Sequence, residues 1–172
     1  LLERLLNLLG DYASQTQAAT LMFRDTEKVP EDIADLQGVR LVTCVEPEEG
    51  QRLAEARIKM MTGGDTLRVR HLYSRWFSFR PQFKIMLATN YRPQIRGQSN
   101  AIWRRLIVVP FEVEIPEEKI DKHLGEKLDQ ELPGILAWAV QGCLAWQREG
   151  LKPPQDLLTA KASYRSEMDV LA

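Results

Sequence analysis

Cysteine is scarce. Cys44 and Cys143 are the only two in 172 residues, each inside an apolar run and without metal-ligand spacing around it. That argues against a disulfide framework or a thiolate cluster and fits a reducing, cytoplasmic setting. No window approaches eighteen apolar residues, and the leucine-rich opening at 1–9 is interrupted by Glu3, Arg4 and Asn7. Neither a membrane span nor a signal-peptide core is expected. The pattern G-x-x-x-x-G-K-[ST] is also missing, so these residues do not form the usual phosphate cradle by themselves. Acids are absent from one long stretch: residues 66–111 contain no Asp or Glu but hold nine of the 23 basic residues. The remainder carries 14 basic against 24 acidic residues, so one strongly cationic block sits in an otherwise anionic chain.

What is present suffices for one core, since 44% of the residues are apolar and 27% charged, unlike a fibrous or disordered chain. The chain opens on Leu1 in a helix already under way, so it is expected to be a segment of a longer protein. Gly10 and Asp11 punctuate that helix, and residues 12–30 lack periodicity beyond room for a short strand. A short helix is expected at 31–36. Residues 39–45, apolar except for Arg40 and Thr43, suit a buried parallel strand that Pro47 stops. Residues 50–61 read as a helix closed by Gly63 and Gly64.

Leu67 and Val69 alternate with Arg68 and Arg70, and Phe77 and Phe79 with Ser78 and Arg80, which predicts two strands around a basic, aromatic tip at 72–76. Strands are also expected at 83–89 and 106–111, with a helical piece at 100–104 between them. Past Pro116 the pattern is helical at 117–132, 134–146 and 155–168, with Pro133, Pro153 and Pro154 as punctuation. Strands separated by helices predict an α/β sheet covered on both faces, with ligands beyond the carboxyl ends of its strands.

Two polar residues fall at such ends. Glu46 follows an apolar strand, where a carboxylate can hold magnesium or polarise a water. Asn90 brings a neutral amide that can donate to a phosphate oxygen and orient an attacking water without adding charge. Glu48 and Glu49 fit a solvated acidic turn better. The hairpin carries Arg68, Arg70, His71, Tyr73, Arg75 and Trp76, pairing cations for phosphates with rings for bases, a combination suited to single-stranded nucleic acid. The alternative is a basic strand whose Tyr73 and Trp76 pack inward. Arg104 and Arg105 precede an apolar run, from where one guanidinium could reach a neighbouring subunit's nucleotide.

Taken together, four stretches resemble the superfamily 3 helicases, in particular the helicase part of phage and plasmid primase-helicases. They are 38–47 with Glu46 and Pro47, Lys59 with Thr62-Gly63-Gly64-Asp65, Leu87-Ala88-Thr89-Asn90, and Ile102-Trp103-Arg104-Arg105 with Pro110-Phe111. The resemblance implies a partial AAA+-like P-loop NTPase core at 1–115 and a C-terminal all-helical lid at 116–172. It makes Glu46 the acidic Walker B position, 59–75 the segment with the DNA-binding hairpin including Lys59, Asn90 the sensor, and Arg104 or Arg105 the arginine finger, with Arg104 preferred. It further implies ATP with Mg2+ as cofactor, a homo-hexameric ring on single-stranded DNA and a primase fused or associated. The departures are the missing Walker A pattern and a proline, not a second acid, after Glu46, so this segment alone is not expected to hydrolyse ATP. Two other classes compete: a non-catalytic module binding single-stranded nucleic acid, and a hydrolase built on Glu46, Glu48 and Glu49, which lacks a nucleophile or metal-ligand cluster.

Overall fold

The computed structural model describes residues 1–24, 31–45, 49–97 and 99–170. Helix α1 (Leu2–Leu9) turns its half-buried leucines toward two strands, β1 (Ala13–Gln15) and β2 (Leu41–Val45). A one-turn helix α2 (Ala18–Leu21) and a 3-10 turn at Glu31–Leu36 lie between those strands in sequence. Beyond β2 come helix α3 (Glu55–Thr62), the antiparallel pair β3 (Leu67–Val69) and β4 (Phe77–Phe79), and strand β5 (Lys84–Ala88). Helices α4 (Asn100–Trp103), α5 (Leu124–Gln130), α6 (Leu132–Glu149) and α7 (Gln155–Val170) complete the chain.

The main sheet is parallel, ordered β1-β2-β5. Its centre is β2, where Leu41, Val42, Thr43 and Cys44 are all buried, as expected of a β-branched apolar run flanked by strands. Register sorts the faces. Val42 and Cys44 align with Ile85 and Leu87 and point into the common core, while Leu41 and Thr43 align with Lys84 and Met86 on the opposite face. That core also takes Ile33 and Leu36 from the 3-10 turn, Ile58 and Met61 from α3, and Leu67, Val69 and Phe79 from the hairpin. Each such side chain contributes roughly 1.5–3 kcal/mol by leaving water.

Helix α7 joins this core. Tyr164 and Met168 are buried, the Tyr164 ring meets Trp103 edge-on at 5.4 Å, and its hydroxyl donates to the Pro93 carbonyl. By contrast α5 and α6 contain no fully buried residue, although Arg4 of α1 ion-pairs with Asp129.

Four expectations need correction. Residues 106–111 form no strand: among the described residues the sheet ends at β5 and offers them no ladder, and Ile107, Val109 and Phe111 stand exposed. Apolar alternation cannot supply a pairing partner. The sheet is not covered on both faces throughout, because Met86 of β5 is exposed. The helix expected from residue 50 begins at Glu55, because preceding backbone groups are engaged elsewhere: Leu53 N–H donates to Gln94 O (2.9 Å), Ala54 N–H to Leu21 O (2.8 Å), and Arg52 O accepts from Phe23 N–H (2.7 Å). The helix expected at 117–132 is a 3-10 turn, Glu117–Lys119, followed by α5. Here Asp121 Oδ1 accepts from His123 N–H at 3.0 Å, a local side-chain bond that competes with helix continuation.

Candidate nucleotide and nucleic-acid sites

Parallel pairing gathers the strand ends on one edge. Val45 is in register with Ala88, so the strand leading toward residue 46 and the strand leading toward residue 90 stop side by side. Glu46 and Glu48 lie outside the described residues, while Glu49 is exposed. Asn90 is exposed two residues beyond β5, next to a turn held by Thr89: its Oγ1 donates to Tyr91 O at 2.6 Å and accepts from Tyr91 N–H at 3.1 Å. The exposed Asn90 amide has no hydrogen-bond partner among the described residues.

Beside these ends is an open hollow of about 610 Å3, lined by Gln15, Thr16, Gln17, Ala18 and Val45. Among the described residues its lining is uncharged, with amides from Gln15 and Gln17 and a hydroxyl from Thr16. Among the described residues no three His, Cys, Asp or Glu side chains gather as a metal site. Nearby, Thr16 Oγ1 donates to Asp32 Oδ2 (3.2 Å), and burial pushes the Asp32 carboxyl above its ordinary value.

The second site is the hairpin. Leu67 pairs with Phe79 and Val69 with Phe77, which anchors the apolar face, while Arg68 pairs with Ser78 on the exposed face. Arg68 and Arg70 lie over the Trp76 ring at 5.4 and 4.9 Å from its centroid. Arg68, Arg70 and Arg75 have no acidic partner among the described residues. His71 also meets the rest of the fold: Nδ1 lies 3.3 Å from Asp35 Oδ1, and the ring stacks on Phe77 at 5.4 Å. Tyr73 and Trp76 do not pack into the core; they are 98% and 53% exposed.

The remaining candidates separate by environment. Lys59 is ion-paired with Glu55 at 3.7 Å and is part of the helix, not of the tip. Arg105 is held inward, its Nη1 donating to Ala101 O at 2.6 Å, while Arg104 is exposed. Folding also neutralises part of the cationic block, since Arg92 meets Glu167 at 2.6 Å.

Two residues not singled out by the sequence prove to hold these parts together. The Glu55 carboxylate accepts from the Arg96 and Gly97 amides (3.1 and 2.8 Å), tying the loop after Asn90 to α3. A Cβ at Gly97 would lie 2.0 Å from Glu55 Oε2, so a larger residue there would displace that carboxylate. Arg57 Nη1 donates to the carbonyls of Ala19, Thr20 and Met22. Glu55 in the first turn and the glycine at 97 were visible signals; their meeting across about forty residues was not.

Comparison with known proteins points to one class, the helicase-named proteins of large DNA viruses. The chain is 39% identical over 80 residues to a protein of Acanthamoeba polyphaga mimivirus, covering 46% of this chain and 8% of that protein. It is 32% identical over 111 residues to a protein of Frog virus 3 (isolate Goorha), covering 61% and 11%. A protein of Invertebrate iridescent virus 6 is 31% identical over 106 residues, covering 54% and 11%. Each carries the name "Putative helicase". The chain spans about a tenth of the length of these relatives. No family model matches it.

Proposed function

We propose that this chain is a module of an ATP-dependent DNA helicase of the superfamily 3, primase-helicase type, acting as a homo-hexameric ring on single-stranded DNA with a primase fused or associated. Residues 1–115 are assigned to the ATPase core and 116–172 to a helical lid. The observation that carries the reading is the register of Val45 with Ala88, which ends two parallel strands together just before an acid and an amide. Similarity to helicase-named viral proteins supports the same reading.

ATP with magnesium, when bound, supplies the phosphoryl group whose hydrolysis drives movement. Glu46 would bind the metal or polarise the attacking water, and Asn90 would orient that water while donating to a phosphate oxygen. Exposed Arg104 suits a group reaching a neighbouring subunit; inward-held Arg105 suits a structural role. The phosphate cradle is assigned to residues outside this chain. A second reading, a DNA-binding module without catalysis, is favoured by the hairpin, whose cations and rings lie in one contiguous segment and require no nucleotide.

The test is DNA-stimulated ATP hydrolysis by the intact protein. Glu46→Gln and Asn90→Ala are expected to lower turnover about 100-fold while single-strand binding persists. Arg104→Ala, mixed into wild-type rings, is expected to suppress turnover beyond its own share of subunits. Normal single-strand binding with no hydrolysis even in the wild type would reject the ATPase and leave the second reading.

A further inference from the structure

Two aromatic side chains stand at the hairpin tip in different surroundings. The Trp76 ring already has two guanidinium groups over it, from Arg70 and Arg68 at 4.9 and 5.4 Å. Tyr73 is 98% exposed, with no ring or cation against it among the described residues. Its backbone is unusual as well. Ser74 N–H donates to His71 O at 3.0 Å, closing a turn in which Tyr73 takes the third position at φ 59.

Turns with positive φ there ordinarily take glycine or asparagine, and a bulky ring is strained. Strain of this kind persists at sites where the side chain has a use beyond folding. The root of the tip touches the rest of the fold through His71, which meets Asp35 and Phe77, while the ring of Tyr73 projects beyond it.

We infer that Tyr73 is the platform on which one unpaired base of single-stranded DNA stacks, while Trp76 is a positioning residue that arranges Arg68 and Arg70 for backbone phosphates. The inference rests on the hairpin being a single-strand contact, as proposed above, and divides its labour. A base needs a free π-face, which Tyr73 offers. The electron-rich face of Trp76 is engaged by cations, and guanidiniums held against a ring lose less freedom on binding phosphate while keeping N–H groups for its oxygens.

The experiment measures binding of the intact protein by fluorescence anisotropy on two probes of equal length, an oligothymidylate and an abasic oligomer with the same sugar-phosphate backbone. Tyr73→Gly suits the turn, so its thermal midpoint should equal or exceed that of the wild type. It is expected to bind the oligothymidylate about tenfold more weakly and the abasic oligomer as the wild type does, with an unchanged salt dependence. Tyr73→Phe should bind as the wild type. Trp76→Leu should weaken both probes alike and flatten the salt dependence.

Tyr73→Gly binding like the wild type, or losing equally on both probes, would overturn the stacking role while leaving the hairpin as a DNA contact. A base-dependent loss confined to Trp76→Leu would reverse the assignment. Wild-type protein that binds neither probe would overturn the hairpin reading itself.

Discussion

In the basic hairpin, every side chain with a proposed role lies between Leu67 and Phe79, and one turn at 71–74 brings them together. At the strand ends, Gln15, Val45 and Ala88 come from three distant stretches and share one edge only because β1 and β5 each pair in parallel with β2. The hairpin's tip is therefore a local structure anchored by a few apolar residues, while the strand-end site depends on the whole core. Local contacts close at small entropic cost, and distant ones must be supported by extensive burial.

The largest effect should come from attacking what the two regions share. Ile102 is 0% exposed in the common core, and Ile102→Ala is expected to cost about 3 kcal/mol in urea denaturation. A cost below about 1 kcal/mol would mean that α4 does not brace that core. A smaller and more selective effect is expected from Arg70→Ala: about tenfold weaker single-strand binding and a salt slope reduced by about one, with DNA-independent hydrolysis unchanged. Loss of both activities together would break the distinction between a local and a non-local site.

The smallest effect concerns the cysteines. Burial pushes the Cys44 thiol up to about 11, so at pH 8 it is protonated, shielded and inert, while Cys143 is exposed. Alkylation followed by mass spectrometry at pH 8 should mark Cys143 alone in the folded chain, and both cysteines once it is unfolded. Early modification of Cys44 would show that the sheet centre opens more readily than its burial implies.

Patterns confined to one stretch of chain already carried part of this fold. Alternation at Leu67 to Arg70 and Phe77 to Arg80 matches the pleat of paired strands with outward cations, and the short β-branched apolar run at 39–45 matches a strand buried on both faces. The apolar run before Asn90 likewise forms a strand, which ends two residues short of it at Ala88.

Features that require two distant segments at once came from packing alone. Nothing in residues 106–111 reveals that no strand lies beside them, and nothing near residue 50 reveals that Gln94 and Leu21 claim the backbone groups that would begin the helix earlier. The same holds for Glu55 clasping the amides of Arg96 and Gly97, and for Trp76 being shared by two arginines while Tyr73 stands free. Propensity and pattern are properties of one stretch of chain. Pairing, exposure and hydrogen-bond partnership belong to two stretches together, and the fold alone brings them into contact.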